Sequence, residues 1–201
     1  MSPLRGPKRG GKGAGARAQA WITLLADDPE AASALAVARA RLAEGQGLEG
    51  LRRLRLVELH GELPVRADLE ALLHRSTWFY NPHKERCALR VTARESAPLE
   101  GGEVAVRVME RGGERRAAAE RWWRHETGQT VEVREGVVWA LRFEPGVNAA
   151  ECARGLAELT RRGHGLLCNP HAQAGALAVD GRPPLPWLEP GEADAGEETP
   201  A

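Results

Sequence analysis

The sequence lacks most of the features that identify a secreted, membrane-spanning or disulfide-bonded protein. Its three cysteines, Cys87, Cys152 and Cys168, are odd in number, widely spaced and without a Cys-x-x-Cys pair, which argues against a disulfide framework or a structural zinc site. The N-terminus has no apolar signal core, and no segment approaches the roughly 20 apolar residues that span a bilayer. We therefore expect a soluble, cytoplasmic protein with reduced thiols and no membrane partner.

Signatures of nucleotide binding and catalysis are also missing. A glycine-rich stretch at residues 10–13 has no apolar strand before it, so it does not predict a phosphate-binding loop. His164, Cys168 and His171 superficially resemble a metal cluster or a nucleophile with its bases. Their spacing fits no standard zinc pattern, however, and Pro170 would break a helix that aligned them. We assign no catalytic residue, metal or cofactor and expect a protein that is not catalytic by itself.

Charge is balanced overall but unevenly placed. The chain has 28 Lys and Arg against 28 Asp and Glu. Five basic residues and no acid occupy residues 1–19, whereas five acids and no base occupy residues 188–201. Both ends are rich in Gly, Pro or Ala and lack apolar periodicity, so we interpret them as disordered tails. A basic tail of this kind either solubilises the protein or contacts nucleic acid or an acidic partner.

One six-residue pattern occurs twice. Trp-Phe-Tyr-Asn-Pro-His at residues 78–83 has a degenerate copy, Leu-Leu-Cys-Asn-Pro-His, at residues 166–171. Because Asn side chains bond their own backbone and Pro has a fixed φ, each copy predicts a stiff turn after a helix. The alternative is a pair of loops in which Asn81, His83, Asn169 and His171 contact a ligand or partner. The repetition itself predicts an internal duplication.

Hydrophobic periodicity places these turns in an α+β fold. After a break at residues 96–102, the pattern predicts a strand, a helix, a strand or hairpin at residues 129–144, a helix at 150–162 and a short closing strand. The first part of the chain repeats this order from its helix onward. It has helical spacing at residues 21–25 and 29–43, a strand at 51–63, a helix at 65–79 and a strand near 87–91.

This order is typical of a ferredoxin-like α/β sandwich, which has antiparallel sheets with helices on one face. We predict two such units, at residues 20–95 and 103–180, whose sheets join edge to edge or pack face to face. The first unit shows no clear first strand.

A second candidate contact surface is Arg-Trp-Trp-Arg at residues 121–124, on a predicted amphipathic helix. Arg121, Trp122 and Arg124 have the side chains that stack on bases and hold phosphates. Adjacent aromatic residues on such a helix also occur where one is buried and the other lies at the rim of the core or at an interface.

Two short motifs carry a resemblance to a known family. They are Val-Glu-Val-Arg-Glu-Gly at residues 131–136 and Leu-Leu-Cys-Asn-Pro at residues 166–170. With the strand and helix between them, they resemble the second half of the small PurS subunit of phosphoribosylformylglycinamidine synthase. That family shows a Val-Arg-x-Gly-Lys strand entry, an acidic helix and a Leu-Leu-Ala-Asn-Pro ending before the last strand. Residues 54–82 follow the same outline more loosely. Val137 stands where the family has Lys, and Pro145-Gly146 is a further departure.

The resemblance implies a tandem of two PurS-like units in one chain, where the family normally assembles separate small subunits. It implies a noncatalytic accessory subunit in purine biosynthesis that docks the glutaminase and synthetase subunits so that ammonia passes between them. Two alternatives follow from the residues themselves. One is a nucleic-acid-associated module that uses the basic tail and the Arg/Trp helix. The other is a small-molecule-sensing domain that binds in a groove between the two halves.

Overall fold

The computed structural model describes residues 15–112, 115–157, 165–179 and 181–188. Within these ranges, no helix is long and apolar enough to cross a bilayer. The strands and helices are, in chain order, β1 (Ala16–Leu24), α1 (Pro29–Arg41), β2 (Leu48–Gly61), α2 (Arg66–His74), β3 (Glu85–Arg90), β4 (Val104–Glu110), α3 (Ala117–Thr127), β5 (Val131–Phe143), α4 (Ala149–Ala157) and β6 (Gln173–Ala178).

All six strands belong to one antiparallel sheet, in the order β3-β1-β2-β5-β4-β6. Its centre is the long pair of β2 and β5, whose register runs from Leu48 opposite Phe143 to Gly61 opposite Val131. The strands β3 and β6 form its two edges. The molecule is therefore a mixed α/β fold with one continuous sheet, not a pair of separate sheets.

The four described helices lie on one face of this sheet. Helices on one face were predicted for each half of the chain, and the edge-to-edge alternative places all four on the same side. Successive strand residues point to opposite faces, and the helix-side residues form two core clusters. One cluster lies under α1 and α4, where Trp139 and Leu141 of β5 are buried. The other lies under α2 and α3, where Leu69 and Trp123 are buried against β1, β2 and the start of β5.

The opposite face is covered by residues 183–188 rather than by a helix, in the part of the chain that the structure describes. Trp187 and Leu188 pack there against Trp21, Leu54 and Val138. Ala97 and Leu99, from the connection between β3 and β4, complete this third cluster. Both faces of the central strands are consequently buried.

Two predictions about the N-terminal part of the chain are wrong, because β1 is buried on both faces. Residues 21–25 were predicted to be helical, but residues up to Leu24 belong to β1. From Ala18 to Ile22 every residue of β1 is at most 2% exposed, and a strand buried on both faces loses the alternation that identifies it. β1 also begins at Ala16, inside the predicted tail at 1–19, and supplies the first strand that the pattern did not show.

β5 is one continuous strand and not a hairpin. Its register passes without a break through Glu135 and Gly136, where a hairpin would turn, and Gly136 lies opposite Leu56. Among the described residues after residue 100 there are therefore three strands, fewer than the four of a ferredoxin-like unit. The second predicted tail, 188–201, starts at Leu188, which is fully buried. Residues 189–201 lie outside the described ranges, as does the end of the helix predicted at 150–162, beyond Ala157.

Candidate functional site

The two Asn-Pro-His copies form turns with matching hydrogen bonds. The Asn81 side-chain oxygen accepts the His83 N–H at 3.0 Å, and that of Asn169 accepts the His171 N–H at 3.1 Å. Each asparagine side chain is thus engaged within its own turn. The predicted turn before a strand is confirmed at both positions. The helix predicted at 65–79 is shorter, however, because α2 ends at His74, and residues 158–164 before the second turn lie outside the described ranges.

The residue four positions later closes each turn in the same way. The Asn81 carbonyl accepts the Glu85 N–H and the Asn169 carbonyl accepts the Gln173 N–H, both at 2.7 Å. In return, a Glu85 carboxylate oxygen accepts the Asn81 N–H at 2.6 Å, and the Gln173 amide oxygen accepts the Asn169 N–H at 3.0 Å. Both closing residues begin an edge strand, β3 or β6.

Each turn presents its histidine to solvent. His83 and His171 are both exposed. The strands that follow them are five positions apart in the sheet, and five steps of about 4.8 Å separate the edges by about 24 Å. One small ligand cannot contact both histidines, whereas a macromolecular partner can contact either.

The Arg-Trp-Trp-Arg segment lies on α3 next to the first turn. Trp123 is fully buried, and Trp122 is partly buried with its ring centroid 5.7 Å from that of Phe79 in an edge-on arrangement. The interpretation that one tryptophan is buried and the other lies at the rim is confirmed. Arg121 and Arg124 are exposed, so α3 offers two cations to a partner while its aromatic rings pack inward.

Between the two helix-side core clusters lies a half-buried charged cluster that sequence reasoning missed. Arg55 of β2 donates hydrogen bonds to the Phe79 carbonyl at 2.7 Å and to Glu85 at 3.1 Å, and forms an ion pair with Glu135 of β5 at 3.4 Å. Arg116 also contacts Glu135, at 3.0 Å. The cluster links the first turn to the centre of the sheet. Only the strand register reveals this pairing, because it places Arg55 opposite Val137 and therefore diagonally across from Glu135.

Arg53 extends the charged cluster toward α1. It contacts Asp28 at 2.8 Å, and Asp28 caps α1 by accepting the N–H groups of Glu30 and Ala31. Burial raises the pKa of Asp28, but the hydrogen bonds from Arg53 and the helix N-terminus outweigh it, so that the pKa lies below its usual value. The carboxylate therefore stays charged at neutral pH and fixes the start of α1 on the sheet.

A cleft of about 460 Å³ opens between α2 and β3, beside the first turn. Its polar lining includes His74 and Tyr80, joined by a 2.9 Å hydrogen bond, and the Cys87 thiol. Burial, with a smaller contribution from Glu70, raises the pKa of Cys87 to about 11. The thiol is therefore protonated at neutral pH and unsuited to nucleophilic chemistry.

The helix-free face holds a second group that sequence reasoning missed. Gln19, Glu58, Arg90 and Arg107 are each at most 7% exposed, although their residue types are mostly found at surfaces. They bind the main chain of residues 183–188. The available signal was a single polar residue inside an apolar run, such as Gln19 in β1 and Glu58 between Val57 and Leu59.

Among the described residues, no three His, Cys, Asp or Glu side chains are grouped closely enough to hold a metal ion. His164, part of the metal-like group in the sequence, lies outside those residues. The site therefore consists of two turns at opposite edges of the sheet, two exposed arginines and a charged cluster between them. Comparison with protein families, curated proteins and solved structures finds no match for this chain.

Proposed function

We propose that the chain is a noncatalytic accessory subunit of the PurS type, which holds the glutaminase and synthetase subunits of a formylglycinamidine ribonucleotide synthase together. In this proposal it consists of two equivalent units, β1-α1-β2-α2-β3 and β4-α3-β5-α4-β6. In both, the first strand lies between the other two, and both helices lie on the same face of the sheet.

The correspondence of the two turns carries the proposal. When Asn81 is aligned with Asn169, β3 and β6 align residue for residue, from Glu85 with Gln173 to Arg90 with Ala178. The neighbouring strands β1 and β4 also correspond, since β1 ends opposite the start of β3 and β4 ends opposite the start of β6. The antiparallel pairing of β2 with β5 is what a two-fold relation between the units requires.

The order of the two motifs that resemble PurS supports the proposal. The Val-Glu-Val-Arg-Glu-Gly motif opens β5, and the Leu-Leu-Cys-Asn-Pro motif forms the turn directly before β6, the last strand. Where the family assembles separate small subunits, one chain here joins two units through β2 and β5. The joint converts two exposed strand edges into a paired sheet centre.

An assembly subunit needs separate and rigid contact regions. The turns satisfy this, because each is closed by four hydrogen bonds, and the edge strands that follow them lie about 24 Å apart across the sheet. In the proposal, one partner contacts the first turn together with Arg121 and Arg124, and the other contacts the second turn. Arginine is a residue type that protein interfaces favour.

Sedimentation of the purified chain with the synthetase and glutaminase subunits of the same organism tests this role. We expect one complex that contains all three proteins. Arg121→Glu with Arg124→Glu should weaken it by about tenfold or more, because charge reversal at an interface is repulsive. Arg94→Glu, at an exposed position on the connection after β3, is the matched control and should change little.

Separate sedimentation of the three proteins at micromolar concentrations would contradict the proposal. If the chain instead bound RNA in a strongly salt-dependent manner, the nucleic-acid alternative would be supported.

A further inference from the structure

Residues 183–188 are held on the helix-free face by side chains that bind their main chain. The Glu58 carboxylate accepts the N–H groups of Trp187 and Leu188 at 2.6 and 2.8 Å. Arg107 donates to the Trp187 carbonyl at 2.6 Å. One acidic and one basic side chain thus bind both polar groups of the Trp187 backbone.

The proline end of the segment is bound in the same manner. Arg90 donates to the Pro183 carbonyl at 2.7 Å, and Gln19 donates to the Pro184 carbonyl at 2.8 Å. Gln19 also donates to Glu58 at 2.6 Å and accepts from Arg90 at 2.9 Å, so these side chains form one network. Recognition of main-chain groups, combined with pockets for side chains, is how domains bind peptides.

The sheet provides such sites for the two apolar side chains of the segment. The Trp187 ring packs on Trp21, with 6.2 Å between ring centroids. Leu188 is fully buried above Gly136, where an added Cβ would lie 2.7 Å from the Leu188 Cδ2. Gly136 therefore creates the space for Leu188, and the face forms a groove shaped for this segment.

The connection between β6 and the segment is short. Residues 179–182 are all that join β6, at one edge, to Pro183, which is bound by Arg90 of β3 at the other edge. Short connections favour exchange of the segment between two copies of a chain. A groove that lost its segment would expose Trp21, Leu54 and Leu56, so it would be refilled rather than left open.

We propose that this groove binds the same segment from a second copy of the chain, so that two chains exchange residues 183–188 and form a two-fold dimer. The contacts in the groove are the same in the monomer and in the exchanged dimer, because the two segments have the same sequence. Protein concentration therefore sets the ratio of exchanged dimer to monomer, since the dimer needs two chains.

Two full-length variants test the exchange. Gly136→Val blocks the groove but keeps the segment, and Trp187→Ala with Leu188→Ala disables the segment but keeps the groove. When they are mixed, native mass spectrometry should find a 1:1 complex with a melting temperature above that of either chain alone. A chain that carries all three changes is the matched control and should form no complex with either variant.

Binding of a labelled peptide of residues 182–188 is the second measurement. The segment-disabled chain should bind it saturably, and adding Glu58→Gln should weaken binding by about tenfold or more, because a charged acceptor for a main-chain N–H is lost. If the disabled chain is folded by circular dichroism yet binds neither the peptide nor the groove-blocked chain, the exchange proposal is wrong. The exchange proposal is also wrong if the segment-disabled chain is unfolded and neither the peptide nor the groove-blocked chain restores its fold.

Discussion

Glu58→Gln is the substitution that most sharply tests how the helix-free face is held. Glu58 is 7% exposed and accepts three hydrogen bonds, from the Trp187 and Leu188 N–H groups and from the Gln19 side chain. Glutamine has nearly the same shape but offers one acceptor oxygen and one donor nitrogen. At least one N–H of the segment then faces another donor.

Two opposing effects set the size of the change. Removing a buried charge relieves its desolvation, which stabilises the variant. Against this, a hydrogen bond to a charged group is worth about 1.5–3 kcal/mol, and a buried donor without a partner costs about 1–3 kcal/mol. The unpaired N–H stays out of reach of water while the segment is bound, so the loss dominates. We expect the free energy of unfolding to fall by about 2–4 kcal/mol.

Urea unfolding measures this change. The midpoint should fall while the slope, which reports the surface exposed on unfolding, stays the same. Glu49→Gln is the matched control on the same strand, because Glu49 is a half-exposed partner of Arg142 at 3.9 Å. Its cost should stay under about 0.5 kcal/mol. Equal midpoints for the two variants would refute the main-chain clamp.

Three further predictions concern the turns, a thiol and the core. Asn81→Ala and Asn169→Ala should each lower the free energy of unfolding by about 1 kcal/mol, with His83→Ala near zero; clearly unequal losses in thermal unfolding would contradict the equivalence of the turns. Cys87, with its pKa raised to about 11 from 9.0, should be alkylated slowly at pH 8, as followed by mass spectrometry. Because the pKa of this thiol is raised only in the folded state, the stability that it contributes below pH 9 should be lost between pH 9 and 11. Rapid alkylation at pH 8 would contradict the burial of Cys87. The buried Trp123 Nε1 has no hydrogen-bond partner among the described residues. Chemical denaturation should therefore show that Trp123→Phe lowers the free energy of unfolding by only about 1 kcal/mol and Trp123→Ala by about 3–5 kcal/mol. Similar losses for the two variants would contradict this packing.

Features set by neighbouring residues were predictable from the sequence. Each Asn-Pro-His turn depends on a bond between residues two positions apart, and the start of α1 depends on Asp28 and Pro29 next to it. The burial of one tryptophan in the Arg-Trp-Trp-Arg segment followed from helical spacing. The placement of the helices of each half on one face followed from the order of helices and strands, whereas the joining of the halves into one sheet did not.

Features that depend on distant residues were not predictable. Glu58 binds Trp187 across 129 positions of the chain, and no local pattern indicates which buried carboxylate meets which main-chain group. β1 was missed because apolar burial on both faces removes the alternation of a strand. Gly136 left a hairpin open as an alternative at residues 129–144, because its role, to make room for Leu188, exists only once the segment has folded back.

Reconstitution of ammonia transfer tests the proposed accessory role most directly. Glutamine-dependent formation of formylglycinamidine ribonucleotide is measured with purified synthetase and glutaminase subunits, with and without the chain. Free ammonium in place of glutamine serves as the control that bypasses transfer. We expect the glutamine-dependent rate to require the chain and the ammonium-dependent rate to be independent of it. An equal glutamine-dependent rate in both mixtures would contradict the proposed function.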